Sequence, residues 1–386
     1  MDNPIYLDYN ATTPIDSRVL EMIEPLFSSK FGNAASSSHQ YGHDAKRLVE
    51  RSRMQLANGL GCKSNEVIFT SGATEAINMA IKGIVSATHK EKKHIITIKT
   101  EHKAVLDSCD HVAKNGVEVD CLSVDDNGQV SISDIEAAIR PETILVIAMH
   151  GNNEIGTIHP IMEIGHLCKE YGIPFLVDAA QTFGKIPVNV KESGISMLVG
   201  SAHKIYGPKG SGFLFKESAL RVDPLIHGGG HEMGLRSGTH NVPGIVGLAV
   251  AYRLMLENQD YENNKLKEYA QSFPEKLKDS EIDFSINGPV NNRLPGNLNI
   301  CLRGVDADWL TTMIPNIAIA RGSACTSETI QPSHVLRSIG LNDDDANSSI
   351  RVSFGRFTTE NEVEQAANII IEQSKIFLAK KEAVAI

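Results

Sequence analysis

Apolar residues in this chain recur with two periods that alternate along its length. From about residue 65, short β-branched runs give way to stretches whose apolar positions repeat every three to four residues. Glu66-Val-Ile-Phe-Thr70 precedes an amphipathic stretch that opens on Ser71-Gly-Ala-Thr-Glu75 and runs to Ile84. The run 94–100 precedes a helical pattern over 102–115, the run 143–150 precedes one over 160–171, and 174–179 is a further strand. Strands separated by crossover helices predict an α/β fold, a mostly parallel sheet between helices, with ligands beyond the carboxyl ends of the strands. After Pro243 the pattern changes to a long helical region reaching about Lys278. Short strands follow over 296–302, 317–320 and 350–354, with helices near Trp309 and Val335 and a last one from Glu360. This predicts a second, smaller α+β body. The expected division is a large domain over 15–255 and a small one made of 1–14 and 256–386, the latter carrying Cys325. The loop-like Phe31-Gly-Asn-Ala-Ala-Ser-Ser-Ser-His39 of the first fifty residues is expected to return to one of these bodies.

With 386 residues, 41% hydrophobic and 22% charged, the chain has ample apolar material for such cores, which excludes disorder and fibres. A net charge of −10 argues against an extended phosphate-backbone contact, so direct nucleic acid binding is not expected. No basic segment leads into an apolar one at the N-terminus, and no apolar run approaches about 18 residues, so the expected location is the cytoplasm, with no membrane partner. Six cysteines lack CxxC or other metal-ligand spacing, which speaks against a disulfide framework and against a metal site. Cys62, Cys109, Cys121, Cys168 and Cys301 lie in apolar-periodic segments and read as small buried hydrophobes. Cys325 lies instead in Arg321-Gly-Ser-Ala-Cys-Thr-Ser-Glu328, a run of small polar residues where a thiol can reach a ligand.

The densest chemical signal is Phe175-Leu-Val-Asp-Ala-Ala-Gln-Thr182 followed by Ser201-Ala-His-Lys204. Singly, Asp178 reads as a strand-end cap and Lys204 as a solvated charge. Together, an acid at the end of a buried strand and a lysine flanked by serine and histidine suit pyridoxal phosphate: the lysine forms a Schiff base and the acid keeps the pyridine nitrogen protonated. Ser71-Gly-Ala-Thr74, between a strand and a helix, suits a phosphate at a helix N-terminus, as does a plain cap. The glycine-rich His227-Gly-Gly-Gly-His-Glu-Met-Gly-Leu-Arg-Ser-Gly-Thr239 is either a further contact or a flexible loop. His102 and Asn153 follow predicted strands and project over the same sheet edge, where a histidine can stack on a ring and move protons. His150, His159 and His166 are weaker alternatives. Arg351 offers a fork for a substrate carboxylate, with a structural salt bridge as the competing reading.

These residues carry a resemblance that spans nearly the whole chain, from Tyr6-Leu-Asp-Tyr-Asn-Ala-Thr-Thr-Pro14 to Phe354-Gly-Arg-Phe-Thr-Thr359. Phe69-Thr-Ser-Gly-Ala-Thr-Glu75, Thr100-Glu-His-Lys-Ala-Val105, His150-Gly-Asn-Asn-Glu-Ile-Gly156, Ser201-Ala-His-Lys204 and Gly322-Ser-Ala-Cys325 each match the pattern of cysteine desulfurases of the IscS/NifS type, within the class V aminotransferases. The resemblance implies the fold-type I architecture of pyridoxal phosphate enzymes and a homodimer. It makes Lys204 the lysine that carries the cofactor, Asp178 the partner of the pyridine nitrogen, Gln181 a donor to the ring oxygen, and His102 the stacked acid-base residue. It places Thr74, Ser201 and His203 at the phosphate, with Thr239 from the other subunit, Ala73 among the cofactor-binding residues, and Asn153 beside cofactor and substrate. Arg351, with Asn33 as a second candidate, takes the carboxylate of L-cysteine, and Cys325 receives its sulfur as a persulfide for an acceptor protein.

Two positions depart from the pattern: Ala34 stands where proline is common, and Arg321 where a small residue is usual. The latter charge either lowers the Cys325 thiol pKa or binds an acceptor. Gly-Ser-Ala-Cys resembles the group that supplies iron-sulfur assembly and tRNA thiolation, while parts of the C-terminal half resemble DndA, the desulfurase of DNA phosphorothioation. An aminotransferase has no use for Cys325, a selenocysteine lyase shares the whole site, and a non-catalytic sulfur-transfer scaffold needs no cofactor.

Overall fold

The computed structural model describes residues 4–321 and 332–385. Its thirteen strands, in chain order, are β1 (Ile5–Tyr6), β2 (Val67–Thr70), β3 (His94–Ile98), β4 (Glu118–Leu122), β5 (Thr143–Met149), β6 (Phe175–Asp178), β7 (Met197–Ser201), β8 (Gly212–Lys216), β9 (Phe284–Ile286), β10 (Asn297–Leu302), β11 (Ile317–Ala318), β12 (Ala320–Arg321) and β13 (Ser349–Ser353). Seven form one sheet in the order β2-β8-β7-β6-β5-β3-β4. The neighbours β7, β6, β5, β3 and β4 run parallel, and only β8 runs against its two partners. Strands β2, β3, β5, β6, β7 and β8 are buried along their whole length, as strands covered on both faces must be. One apolar cluster covers one face, with Phe175, Val177, Leu198 and Phe213. The other covers the opposite face, with Leu176, Met197, Val199 and Leu214. This alternation follows from the two-residue period of a strand.

A second sheet, in the order β12-β13-β10-β9, is antiparallel and has its own core around Phe273, Leu298, Ile300, Val352 and Ala367. One helix, Val242–Lys278, serves both bodies. Its residues 242–255 belong to the core of the large sheet, and Leu266, Ala270, Phe273 and Leu277 belong to that of the small one. The N-terminal segment also visits both: Ile5 pairs with Ile317 and Leu7 enters the small core, whereas Tyr9, Val19 and Ile23 enter the large one.

The helix Gln40–Leu60 carries only a thin apolar stripe, because its sequence is polar on average. The His39 ring caps it by accepting from the Gly42 amide, and Gly61 ends it with a φ of 73°, the left-handed conformation that favours glycine. Two of the cysteine expectations are corrected. Cys121 is exposed, because β4 is the sheet edge, and Cys62 is half-buried at the end of the long polar helix; Cys109, Cys168 and Cys301 are buried as expected. Among the described residues no helix is long and apolar enough to cross a membrane.

Candidate active site

Four residues of interest leave four neighbouring parallel strands at their carboxyl ends, in the order of the strands in the sheet. Lys204 closes the short turn Ala202–Lys204 after β7, Asp178 ends β6, Asn153 follows β5, and His102 follows β3. They line one cavity of about 600 Å³ together with Ala73, Thr74, Gln181, Ser201, His203 and Arg351. Parallel strands drive their chain reversals, and hence their polar loop residues, to a common edge, and this is the crevice the topology prepares.

Asp178 is buried at the bottom of the crevice, and its Oδ1 accepts the Ala180 amide at 2.9 Å. Burial pushes its carboxyl pKa above the usual carboxylate value, and the facing His102, the Ala180 amide and Lys204 offset only part of that rise. The His102 ring caps the helix Lys103–Ala113: its Nδ1 accepts the Ala104 amide at 3.0 Å. An accepting Nδ1 carries no proton, so the neutral ring carries its proton on Nε2. Lys204 Nζ donates to the carbonyl oxygens of Asn10 and Ala11, both at 2.7 Å.

Opposite this acid-lysine pair, the helix Ala73–Ala87 begins at Gly72 with no side-chain acceptor on its first amides. A Cβ built on Gly72 would meet nothing within 4 Å, so the space in front of the helix is open. Ser201, Thr74 and the His203 ring border that space. Burial, with help from Lys204, Lys209 and Lys185, pulls the His203 pKa down to about 4, so its ring is neutral and can donate without adding charge. Open amides, two hydroxyls and a neutral donor make an anion cradle. An anion cradle, a lysine and a buried acid in one crevice fit pyridoxal phosphate, whose phosphate, aldehyde and pyridine nitrogen need those three partners.

Arg351 makes a structural salt bridge and also lines the cavity. Its side chain is 1% exposed, Nη2 pairs with Asp8 at 2.7 Å and Nη1 donates to the Asn153 carbonyl at 3.3 Å. Its Nε has no partner among the described residues. Gln181 Nε2 donates to the Asn10 carbonyl at 2.9 Å.

Two expected residues lie elsewhere. Asn33 is exposed on the loop before the helix Gln40–Leu60, where its side chain accepts the Ala35 amide, and it does not border the cavity. Thr239 is exposed and stands apart from the cavity of its own chain. Cys325 lies outside the described residues. Of the alternative histidines, His150 and His159 are buried and His166 is exposed against the Glu192 carbonyl. The Arg321 charge, at the end of β12, is paired with Asp308.

The segment 8–13 is a site element that no sequence period marks. Asn10 alone accepts from Lys204 and Gln181 and donates to the Asn153 carbonyl. Its signal was present as two polar side chains, Asp8 and Asn10, inside an otherwise apolar run. Glu101 was also missed, although it sits beside His102 with none of its surface exposed.

The aminotransferase class-V family model matches residues 5–366. The cysteine desulfurase IscS of Rickettsia prowazekii is 44% identical over 369 residues, which is 95% of this chain and 90% of that protein. Among solved structures, a NifS-like protein superposes with a TM-score of 0.91 at 34% identity, covering 97% of this chain and all of the other. DndA from Streptomyces lividans superposes with a TM-score of 0.78 at 38% identity, covering 89% of this chain and 98% of its own. The architecture is that of fold-type I pyridoxal phosphate enzymes, and the chain belongs to the class-V aminotransferase family.

Proposed function

We propose that this protein is a cysteine desulfurase that uses pyridoxal phosphate to move the sulfur of L-cysteine onto Cys325, releasing L-alanine. The observation that carries this reading is the meeting of Lys204, Asp178, His102 and the open helix N-terminus in one crevice of a chain 44% identical to a cysteine desulfurase. Lys204 would hold the cofactor covalently, Asp178 would face its pyridine nitrogen, and Gln181 its ring oxygen. Ala73, Thr74, Ser201 and His203 would hold its phosphate, with Thr239 supplied by the partner of a homodimer. When bound, the cofactor supplies an electron sink for the bond-breaking step.

The chain's own residues do the rest. Arg351, already oriented by Asp8, receives the substrate carboxylate on Nε, which has no partner among the described residues, and Asn153 borders both substrate and cofactor space. His102 Nε2 holds a proton at the ring face and is fixed there by its cap. Lys204 accepts and returns the substrate's α-proton once its amine is free. Cys325 then takes the sulfur: the carbon–sulfur bond of the substrate breaks, a sulfur–sulfur bond forms, and the two thiols leave as alanine and a persulfide. The persulfide passes to an acceptor protein in the cytoplasm.

The division into a domain of 15–255 and one of 1–14 with 256–386 is part of the same proposal, supported by the two cores that meet in the helix Val242–Lys278. The test is to mix purified, cofactor-loaded protein with L-cysteine without added thiol and measure alanine and the mass of the Cys325 peptide. Equal amounts of alanine and of a one-sulfur mass increase are expected, and Cys325→Ser is expected to keep the cofactor's visible band while forming no persulfide. A normal persulfide yield in that variant refutes the role given to Cys325.

A further inference from the structure

Glu101 is a buried carboxyl group that the mechanism above leaves unused. None of its surface is exposed, and it lies at the bottom of the crevice between β3 and His102. Its Oε1 accepts the Met149 amide at 2.5 Å, while its Oε2 is buried with no partner among the described residues. Met149 is the last residue of β5 and stands in register with Asp178, the last residue of β6. The two carboxyl groups therefore sit at neighbouring strand ends.

The surroundings of the two acids differ. Asp178 faces His102 and Lys204, which favour its charge. Glu101 faces Asp178, and the thiols of Cys109 and Cys121 lie within the reach of its field. The Lys103 side chain pairs with Asp107, and the His334 ring donates to the Glu101 backbone carbonyl at 3.0 Å rather than to its carboxyl group. Glu101 thus has no cation on its carboxyl group among the described residues. Two buried like charges at neighbouring strand ends do not both ionise, and the one without cations takes the proton. Burial and the Asp178 charge both push the Glu101 pKa well above the usual range. Since Oε1 is occupied as an acceptor by Met149, the proton belongs on Oε2, the atom that no donor reaches.

We propose that Glu101 is a positioning residue, held as an uncharged carboxylic acid that pins the end of β5 beside Asp178, so that the pair carries one negative charge and Asp178 carries it. The proposal rests on the reading that Asp178 faces the pyridine nitrogen, and its first test does not depend on that reading. With glutamate carboxyl carbons labelled by ¹³C, infrared difference spectra between wild type and Glu101→Gln are recorded on cofactor-loaded and cofactor-stripped protein at about pH 7.5. The expected result in both forms is loss of a protonated-carboxyl band; loss of an ionised-carboxylate band overturns the proposal. The same band in wild type alone should persist from about pH 6 to 8, which keeps the test valid if the variant folds poorly.

A second readout is the pH midpoint of the bound cofactor's visible band. Glu101→Gln keeps the charge and should move it by less than about 0.3 units, whereas a shift of about one unit or more means that a charge was removed and the proposal is wrong. Glu101→Leu, which leaves the Met149 amide without an acceptor, should weaken cofactor affinity by about tenfold; unchanged affinity refutes the pinning role. Asp178→Asn separates the two ideas: a cofactor band insensitive to that change refutes the Asp178 reading and leaves the infrared result standing.

Discussion

Removing the charge of Glu232 should destabilise the protein by about 3 kcal/mol, and the structure gives that figure by two routes. Glu232 lies on the glycine-rich loop, 5% exposed, and receives four hydrogen bonds. Arg53 supplies two, at 2.6 and 2.7 Å, the Phe69 amide a third at 2.7 Å, and His240 Nε2 pairs at 2.6 Å. Arg53 is itself 5% exposed, so Glu232→Gln leaves a buried guanidinium with only the exposed Glu50, at 3.4 Å, as counter-charge, a change at the lower end of the roughly 3–5 kcal/mol that breaking a buried pair costs, about 3 kcal/mol. Independently, against the burial that pushes it up, these donors pull the Glu232 pKa down to about 2 from an ordinary value of 4.5. A depressed carboxyl pKa contributes stability above the unfolded value that is lost as pH falls through the folded one, here about 3 kcal/mol. Urea unfolding of wild type and Glu232→Gln at about pH 7 should therefore differ by about 3 kcal/mol, and the difference should shrink as pH falls below about 4.5. A difference under about 1 kcal/mol at neutral pH, or one that does not shrink in acid, refutes the argument. Replacing Arg53 by Met in the same variant should recover much of the loss, because the unpaired charge is then gone. The ion pair also holds Glu232 and Met233 at φ of 49° and 58°, conformations that residues with a Cβ resist.

Asp8→Ala should raise the KM for L-cysteine about tenfold or more, since Arg351 loses the partner that orients it; unchanged steady-state kinetics would contradict this. Burial pulls the pKa values of His150 and His159 down to about 4. Their unfolded forms take up protons first, so stability should fall as pH drops from about 6.5 toward 4, and His159→Gln should flatten that slope in urea titrations. Among the described cysteines, native labelling with iodoacetamide followed by peptide mass analysis should modify Cys121 well before Cys109, Cys168 and Cys301, and equal rates would refute the edge placement of Cys121.

The large sheet was legible in the sequence because its strands are buried on both faces and read as unbroken apolar runs, as in β5 and β6. The edge strand β4 was not, since its positions are exposed or half-buried and its pattern is weak. Lys204, Asp178, Ser201 and His203 were legible as neighbours because each ends or follows a strand, and topology alone then brings them together. The residues that orient them were not. Asp8, Asn10 and Glu101 act through contacts with residues far away in the chain, such as Asp8 with Arg351, and no local pattern encodes those. Cysteine burial was overestimated for the same reason: the apolar period of β4 does not reveal that it lacks a neighbour.

The anchoring of the N-terminal segment has a consequence for biogenesis. Ile5 pairs with Ile317, Asp8 with Arg351, and Asn10 with Ser353. During synthesis these early residues wait until their partners, more than three hundred positions later, have left the ribosome. The carbonyls of Asn10 and Ala11 that hold Lys204 are therefore set only after Arg351 and Ser353 have emerged. The large sheet can form first, with its cofactor crevice still open along one side, and the last strand to emerge closes it. In this order of assembly, a chain that has not yet delivered β13 has no finished place for a reactive aldehyde, and commitment to the cofactor waits for that strand.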